Sequence, residues 1–190
     1  VRRLLEAGVL ADGCKTVAYS YIGPSLSHAI YRDGTIGGAK KHLEQTARDL
    51  DAELKNALNG EAYVSVNKGL VTRSSAVIPI IPLYLSVLFK VMKEQGSHEG
   101  CIEQMERLFA ERLYTGESVP TDENHLIRID DWEMDPKVQT VVDERMAKIT
   151  QENFAELADL EGYRHDFLAT NGFDVAGVDY SLDVASVETI

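Results

Sequence analysis

Cysteine, basic residues and long apolar runs are all scarce in this sequence, and each scarcity excludes something. The two cysteines, Cys14 and Cys101, form no metal-binding or redox spacing. They read as free thiols of a reducing compartment. Lys and Arg number 19 against 31 Asp and Glu, a formal net charge of −12. Nonspecific nucleic-acid or anionic-membrane binding needs basic patches, so neither partner is expected. The strongest apolar segment, Ala76–Phe89, is broken by Pro79 and Pro82 and followed by Lys90. It falls short of the about 20 residues a membrane span requires and reads as a buried helix or pocket wall. Val1–Leu10 has charges but no long apolar stretch, so no secretory signal is read there. A cytoplasmic location is expected. His28, His42, His98, His125 and His165 show no ligand spacing. The acidic run Asp130-Asp131-Trp132-Glu133-Met134-Asp135 lacks the glycine and terminal glutamate of a calcium loop and reads as a solvated acidic turn. No metal is expected. Repeats and low-complexity linkers are also lacking.

What is present is a regular alternation of strand and helix signals. A hydrophobic fraction of 44% is enough for a core. Arg2–Gly8 reads as a helix end. Thr16–Tyr19 reads as a short buried strand between Asp12-Gly13 and Gly23-Pro24. Ile36, Ala39, Leu43, Ala47, Leu50, Leu54 and Ala57 or Leu58 recur at helical spacing, and Asn59-Gly60 ends that helix. Ala62–Val66 is a second strand. Strand, helix and strand at this crossover length predict a βαβ unit and a parallel sheet. Thr72-Arg73-Ser74-Ser75 is expected to cap a long apolar helix ending at Gly96, and Cys101–Leu113 a further helix. His125–Ile129 alternates as a short strand. A helix from Asp131 or Asp135-Pro136 is expected to reach Phe154–Leu160, with another over Tyr163–Ala169. Asp174–Ile190 reads as irregular.

Ligands bind beyond the carboxyl ends of strands in such sheets. Tyr21 and Gly23 follow the first strand and Asn67–Thr72 the second, with Tyr31 and Lys40 between them. Tyr31 sits in a turn-like stretch, His28–Gly34, and Lys40 just inside the next helix. A phenol and an ammonium that converge on one cleft can deliver a proton to a carbonyl or enolate oxygen. A free phenol has a pKa of roughly 10, and a nearby cation lowers it. Tyr19 is expected on the other face of its strand, and Lys41 in solvent. Gly34-Thr35-Ile36-Gly37-Gly38 lacks the strand-linked phosphate fingerprint. Its small residues are read as allowing close helix packing.

The runs Lys15–Pro24, Ile30–Gly37 with Lys40, Ala62–Lys68, Leu70-Val71-Thr72, Ile78–Met92, His98–Met105, Asp130–Met134 and Gly162-Tyr163-Arg164 resemble the FabV-type trans-2-enoyl reductases, bacterial enzymes of fatty-acid biosynthesis. The Tyr-x8-Lys pair is that family's catalytic signature. The resemblance implies an NADH (NAD) cofactor and an enoyl-CoA or enoyl-acyl-carrier-protein thioester substrate. It implies Tyr31 as proton donor and oxyanion stabiliser, and Lys40 as its partner and a contact to the cofactor ribose. Gly69, Leu70 and Val71 would close over the nicotinamide, with Tyr21 and Thr72 meeting the substrate. An N-cap is the competing reading of Thr72. Pro79, Pro82, Leu83, Tyr84 and Phe89 are candidates for an acyl-channel wall.

The expected fold class is therefore α/β: the C-terminal half of a Rossmann-like doubly wound parallel sheet, with an added mostly helical C-terminal region. Residues 1–96 would form the half-domain with the Tyr-x8-Lys pair and nicotinamide loop, and 97–190 the helical region packed on it. The family's nucleotide-binding half precedes the matched region. The chain, which begins at Val1, reads as about half of a longer enzyme, with the N-terminal half as partner. Two alternatives stay open. One is a catalytically silent fragment or acidic helical interaction module. The other is a short-chain-dehydrogenase relative that acts on ketones.

Overall fold

The β-branched and aromatic residues of Lys15–Ser20 (β1) and Glu61–Val66 (β2) form adjacent parallel strands, with Leu126–Arg128 (β3) paired parallel to β2 on its other side. The computed structural model describes residues 1–183. Val17 faces Tyr63 across the first pair, and Ser65 faces Ile127 across the second. The whole of β2 is buried or nearly so because helices cover both faces of the sheet. Val64, Val66 and Leu126 point to one face with Ala47 of the long helix α3 (Thr35–Leu58). Tyr63 and Ile127 point to the other with Leu108 and Leu113. The expected βαβ unit is β1, α3 and β2.

Two carboxylates lie on the buried face of α3, and both are matched. Glu44 accepts from Arg32 at 2.7 Å. Asp51 accepts from the Ala62 amide at 3.0 Å and from Lys55 at 2.6 Å, tying the helix to the start of β2. Asn59, in the left-handed region at φ 49°, ends the helix as expected. The largest core surrounds α4 (Ile81–Gln95), apolar on nearly every side. It packs against Val138 and Val142 of α6 (Pro136–Lys148) and Tyr163 of α8 (Leu160–Ala169).

Several boundaries differ from expectation. Tyr31 is the last residue of α2 (Ser25–Tyr31), not part of a turn. Ser27 Oγ donates to the Ile22 and Pro24 carbonyls at 2.8 Å and fastens that helix at its start. Asp33-Gly34 stops it. The expected long helix is split into a 3₁₀ turn, Ser75–Val77, and α4. Pro79 disfavours helical backbone at the residue before it, and Ile80 turns the chain at φ 67°. Past α5 (Cys101–Leu108) the helix continues as a π turn over Phe109–Leu113. The helix expected to reach Leu160 ends at Lys148. The Asn153 side chain takes the Thr150 amide and donates to the Lys148 carbonyl, which replaces the helical ladder. A short α7 (Phe154–Leu157) follows, and α8 starts earlier than Tyr163. The irregular stretch expected from Asp174 is held in its first part by Tyr180, which accepts from the Val175 amide and donates to the Gly172 carbonyl. Residues 184–190 lie outside the described residues. No described helix is long and apolar enough to cross a membrane.

Gly37 permits the close packing expected of that stretch. A Cβ there would lie 2.1 Å from the Arg32 carbonyl oxygen, whereas one on Gly38 would meet nothing within 4 Å. Gly38→Ala is thus expected to raise stability by about 0.5–1 kcal/mol through helix propensity. Gly37→Ala should lower it by about 2 kcal/mol through overpacking. Urea unfolding of the two variants checks the pair; equal effects would contradict the packing described.

Candidate active site

Because the three strands are parallel, their carboxyl ends open on the same edge, and the functional side chains collect there. Tyr21 follows β1. Asn67–Thr72 follow β2. The turn after β3 brings Glu133 to the same place. Tyr31 closes the crevice from the end of α2. One cavity of about 320 Å³ is lined by Tyr21, Tyr31, Gly69, Leu70 and Thr72, with Ile78, Ile81 and Leu85 as its apolar wall.

Tyr31 is buried, and among the described residues its hydroxyl has no hydrogen-bond partner. The Tyr21 ring meets it edge to face, with centroids 5.0 Å apart and planes at 87°. The Lys40 Nζ lies 5.1 Å from the Tyr31 ring centroid. It donates to the Tyr21 carbonyl and to Ser20 Oγ. Lys40 therefore fastens the end of β1 beside the phenol, and one of its three N–H groups remains for another acceptor. Burial, aided by the charge of Arg32, lowers the Lys40 pKa to about 8. The expected lowering of the Tyr31 pKa is not found. Burial raises it, because the ammonium lies by the ring and does not bond the hydroxyl. The phenol stays protonated at neutral pH, as a proton donor must.

The acidic turn is not solvated as expected. Glu133 is 0% exposed and Asp130 1%. Asp130 is paired with Arg128 at 2.6 Å. Glu133 Oε1 accepts from Tyr84 Oη at 2.6 Å and Tyr21 Oη at 3.0 Å, and its Oε2 from the Gly69 amide at 2.6 Å. Burial raises the Glu133 pKa, and these donors oppose the rise. The phenols of Tyr21 and Tyr84 are pushed well up, first by burial and then by the Glu133 charge. The sequence could have exposed Glu133 through position: it follows β3 as Tyr21 follows β1.

The remaining expected site residues divide. Gly69 reaches the cavity, but its N–H is held by Glu133 and its carbonyl by Lys68 Nζ at 3.1 Å. A Cβ there would lie 2.6 Å from Leu85 Cδ2, so a side chain at this position would have to displace the end of Leu85. The Leu70 carbonyl accepts from Ser75 Oγ at 3.0 Å. Val71 turns away and lines a second cavity of about 410 Å³ with Phe89, Glu99 and Cys101. Thr72 fits both readings: it lines the first cavity, and its Oγ1 caps the 3₁₀ turn by accepting from the Ser75 amide at 3.0 Å. Of the candidate acyl-wall residues, Tyr84 is a core residue bonded to Glu133, and Phe89 borders the second cavity. Pro79, Pro82 and Leu83 do not line the first. Tyr19 and Lys41 are exposed as expected. His28 has a local role, its Nε2 lying 3.2 Å from the Gly23 carbonyl oxygen.

Residues 1–114 match the family model described as trans-2-enoyl-CoA reductase catalytic region. The chain is 58% identical over 191 residues to a trans-2-enoyl-CoA reductase (NADH) of Treponema denticola, covering 100% of this chain and 47% of that protein. It is 58% identical over 187 residues to an enoyl-acyl-carrier-protein reductase (NADH) of Cytophaga hutchinsonii, covering 98% and 47%. A crystal structure of Clostridium acetobutulicum trans-2-enoyl-CoA reductase in complex with NAD superposes with a TM-score of 0.93 at 48% identity, over 97% of this chain and 48% of that one. The chain thus spans about half the length of the curated relatives it matches. Residues 121–184 match a model described as enoyl reductase FAD binding domain. The residues do not fit a flavin dinucleotide. The described part of this segment offers one three-residue strand and no glycine-rich turn from strand to helix. The glycine in α8, Gly162, is packed shut, since a Cβ there would lie 2.3 Å from Asp159 Oδ2. No step is derived through a flavin.

Lys68 gives this site a pH signature. It is 2% exposed, its Nζ lies 4.7 Å from the Phe89 ring centroid, and burial lowers its pKa from 10.5 to about 8. Between those values the unfolded chain holds the proton and the folded chain does not, so stability rises with pH. Below pH 8 both states carry it and the burial penalty is constant. The urea midpoint should therefore gain less between pH 8 and pH 10 in Lys68→Met than in the native chain. An equal gain would show that Lys68 titrates normally.

Proposed function

The chain belongs to the trans-2-enoyl-CoA reductase family, and from that membership we propose that it supplies the proton-donating half of an enzyme that reduces the trans-2 double bond of enoyl-CoA or enoyl-acyl-carrier-protein thioesters with NADH. The observation that carries this reading is the Tyr31 phenol. It is buried at the strand ends, protonated, without a hydrogen-bond partner among the described residues, and flanked by Tyr21 and Lys40. The relatives' names and the NAD in the crystal structure support it. Nothing in the comparisons favours an acidic interaction module or a ketone substrate over it.

The proposed division of labour follows. Residues 1–96 carry the groups that meet substrate and cofactor; the described part of 97–190 packs on them and contributes Glu133. The cavity is of a size for the nicotinamide end of a dinucleotide, but the described residues offer no pyrophosphate cradle. The upstream half is thus the proposed partner that holds the rest. It would add strands to the outer edge of β1, which pairs only with β2 among the described residues. The reduced nicotinamide, when bound, supplies a hydride to the β-carbon of the enoyl group. That addition drives negative charge onto the thioester oxygen. Tyr31 meets it there, first donating a hydrogen bond and then passing its proton to the oxygen; the enol so formed returns to the thioester as the α-carbon takes a proton, and the phenolate regains one from solvent. Lys40, with its free N–H, would hold a ribose hydroxyl while bracing the turn beneath Tyr21. The backbone N–H groups of Leu70 and Val71, unbonded among the described residues, are the candidates for the carboxamide, since the N–H and carbonyl of Gly69 are engaged. Thr72 meets the substrate from the cavity rim. A cytoplasmic location fits these substrates.

The test is Tyr31→Phe in the enzyme assembled with its upstream half. Turnover of crotonyl-CoA should fall about 100-fold or more, while NADH affinity stays within about twofold because the phenol acts on the substrate. Native-like turnover would end the assignment. Lys40→Ala should weaken both NADH binding and turnover; unchanged NADH affinity would leave Lys40 only its hold on Ser20 and Tyr21.

A further inference from the structure

The two phenols of the cavity are not equivalent, and Glu133 is what separates them. A tyrosine hydroxyl carries one proton to donate and lone pairs that accept. Tyr21 directs its proton at Glu133 Oε1, 3.0 Å away. Its oxygen therefore offers the cavity an acceptor only. Tyr31 keeps a proton that no group among the described residues takes. The same carboxylate holds Gly69 by its amide, and Lys68 holds the Gly69 carbonyl, so the loop after β2 is clamped at both backbone polar groups of one residue. Among the described residues no Lys, Arg or His nitrogen lies within 4.0 Å of Glu133; three neutral donors bond its oxygens, and the Lys68 charge acts on it from farther away.

We propose that Glu133 is a positioning residue for the reaction: it turns Tyr21 into an acceptor, leaves Tyr31 as the one of the two phenols with a proton to give, and fixes Gly69 at the cavity wall. The proposal rests on the reductase reading above. Ligand groups that meet Tyr21 are then N–H or O–H donors, such as an amide of the substrate's pantetheine arm or of the cofactor, and not the thioester oxygen.

Glu133→Gln is nearly isosteric but has one acceptor and one donor. Its oxygen would take the Gly69 amide, and its NH₂ would face the two phenols. Tyr21 would then accept from the side chain and swing its proton into the cavity. In the assembled enzyme, Glu133→Gln is expected to lower kcat about tenfold or more through this misdirection, with KM for crotonyl-CoA within about twofold. A double-mutant cycle tests the route. Tyr21→Phe should lower kcat about tenfold in the native background and change it less than about twofold in the Glu133→Gln background. Full, independent losses in both backgrounds would overturn the proposal. Should Glu133→Gln fail to fold, Tyr84→Phe decides. It removes the other donor to Oε1 and leaves Tyr21 and Gly69 bonded, so kcat should stay within about threefold of native. A loss equal to that of Tyr21→Phe would show a merely structural cluster and overturn the proposal. Absence of crotonyl-CoA reduction by the native assembled enzyme would instead overturn the reductase reading, and this proposal with it; native turnover with an additive cycle would sink this proposal alone.

Discussion

A wholly buried carboxylate, that of Glu133, joins the parts of the molecule that the site depends on. An unpaired charge in such a place is costly, and an interior carboxylate persists only where donors surround it. Here the donors come from three places: the residue after β1, the loop after β2 and the first turn of α4. Gln139 of α6 adds a bond to the Glu133 carbonyl at 2.7 Å. Removing the acceptor would strand two phenols and an amide in the core. The geometry of the crevice is thus set by a polar constraint laid over an apolar helix that would by itself tolerate several packings.

That constraint explains the electrostatics of the neighbouring groups. Lys68 and Lys40 are both lowered towards neutrality by burial, and the phenols are all raised. At neutral pH the phenols are protonated, and the Glu133 carboxyl, raised by burial, is held against that rise by its hydrogen-bond donors. Of the two cavity phenols, Tyr21 bonds Glu133, whereas the Tyr31 hydroxyl has no partner among the described residues. The ammonium of Lys40 braces the backbone under Tyr21 and stays by the ring of Tyr31 without touching its hydroxyl, which fits a phenol kept as an acid.

The sheet was legible because its signals are local. The alternation of Ala62–Val66, the long period of α3 and the stop at Asn59-Gly60 follow from the chain's own propensities. Once two parallel strands are placed, Tyr21, Tyr31, Lys40 and Gly69 fall at their carboxyl ends by topology. The family resemblance added roles to those positions. What was not legible depends on distant partners. Glu133 reads as a solvated acid until β3 is known to lie beside β2, with Leu126 paired to the distant Val64. The Val71 side chain alternates away from the cavity that its neighbour Leu70 lines. Tyr31 looks like part of a turn because Asp33-Gly34 follows it, although Ser27 fastens a short helix ahead of it. The break at Pro79-Ile80 is written in the proline, but the strong apolar pattern on both sides hides it.

The most direct measurement is NADH oxidation with crotonyl-CoA, followed by absorbance, using this chain alone, the upstream half alone and the two mixed. If this chain supplies the proton donor and its partner the nucleotide site, oxidation appears in the mixture and in neither part. Mixed halves that form a stable complex and bind NADH, yet oxidise none of it, would contradict the assignment of this cavity as the reducing site.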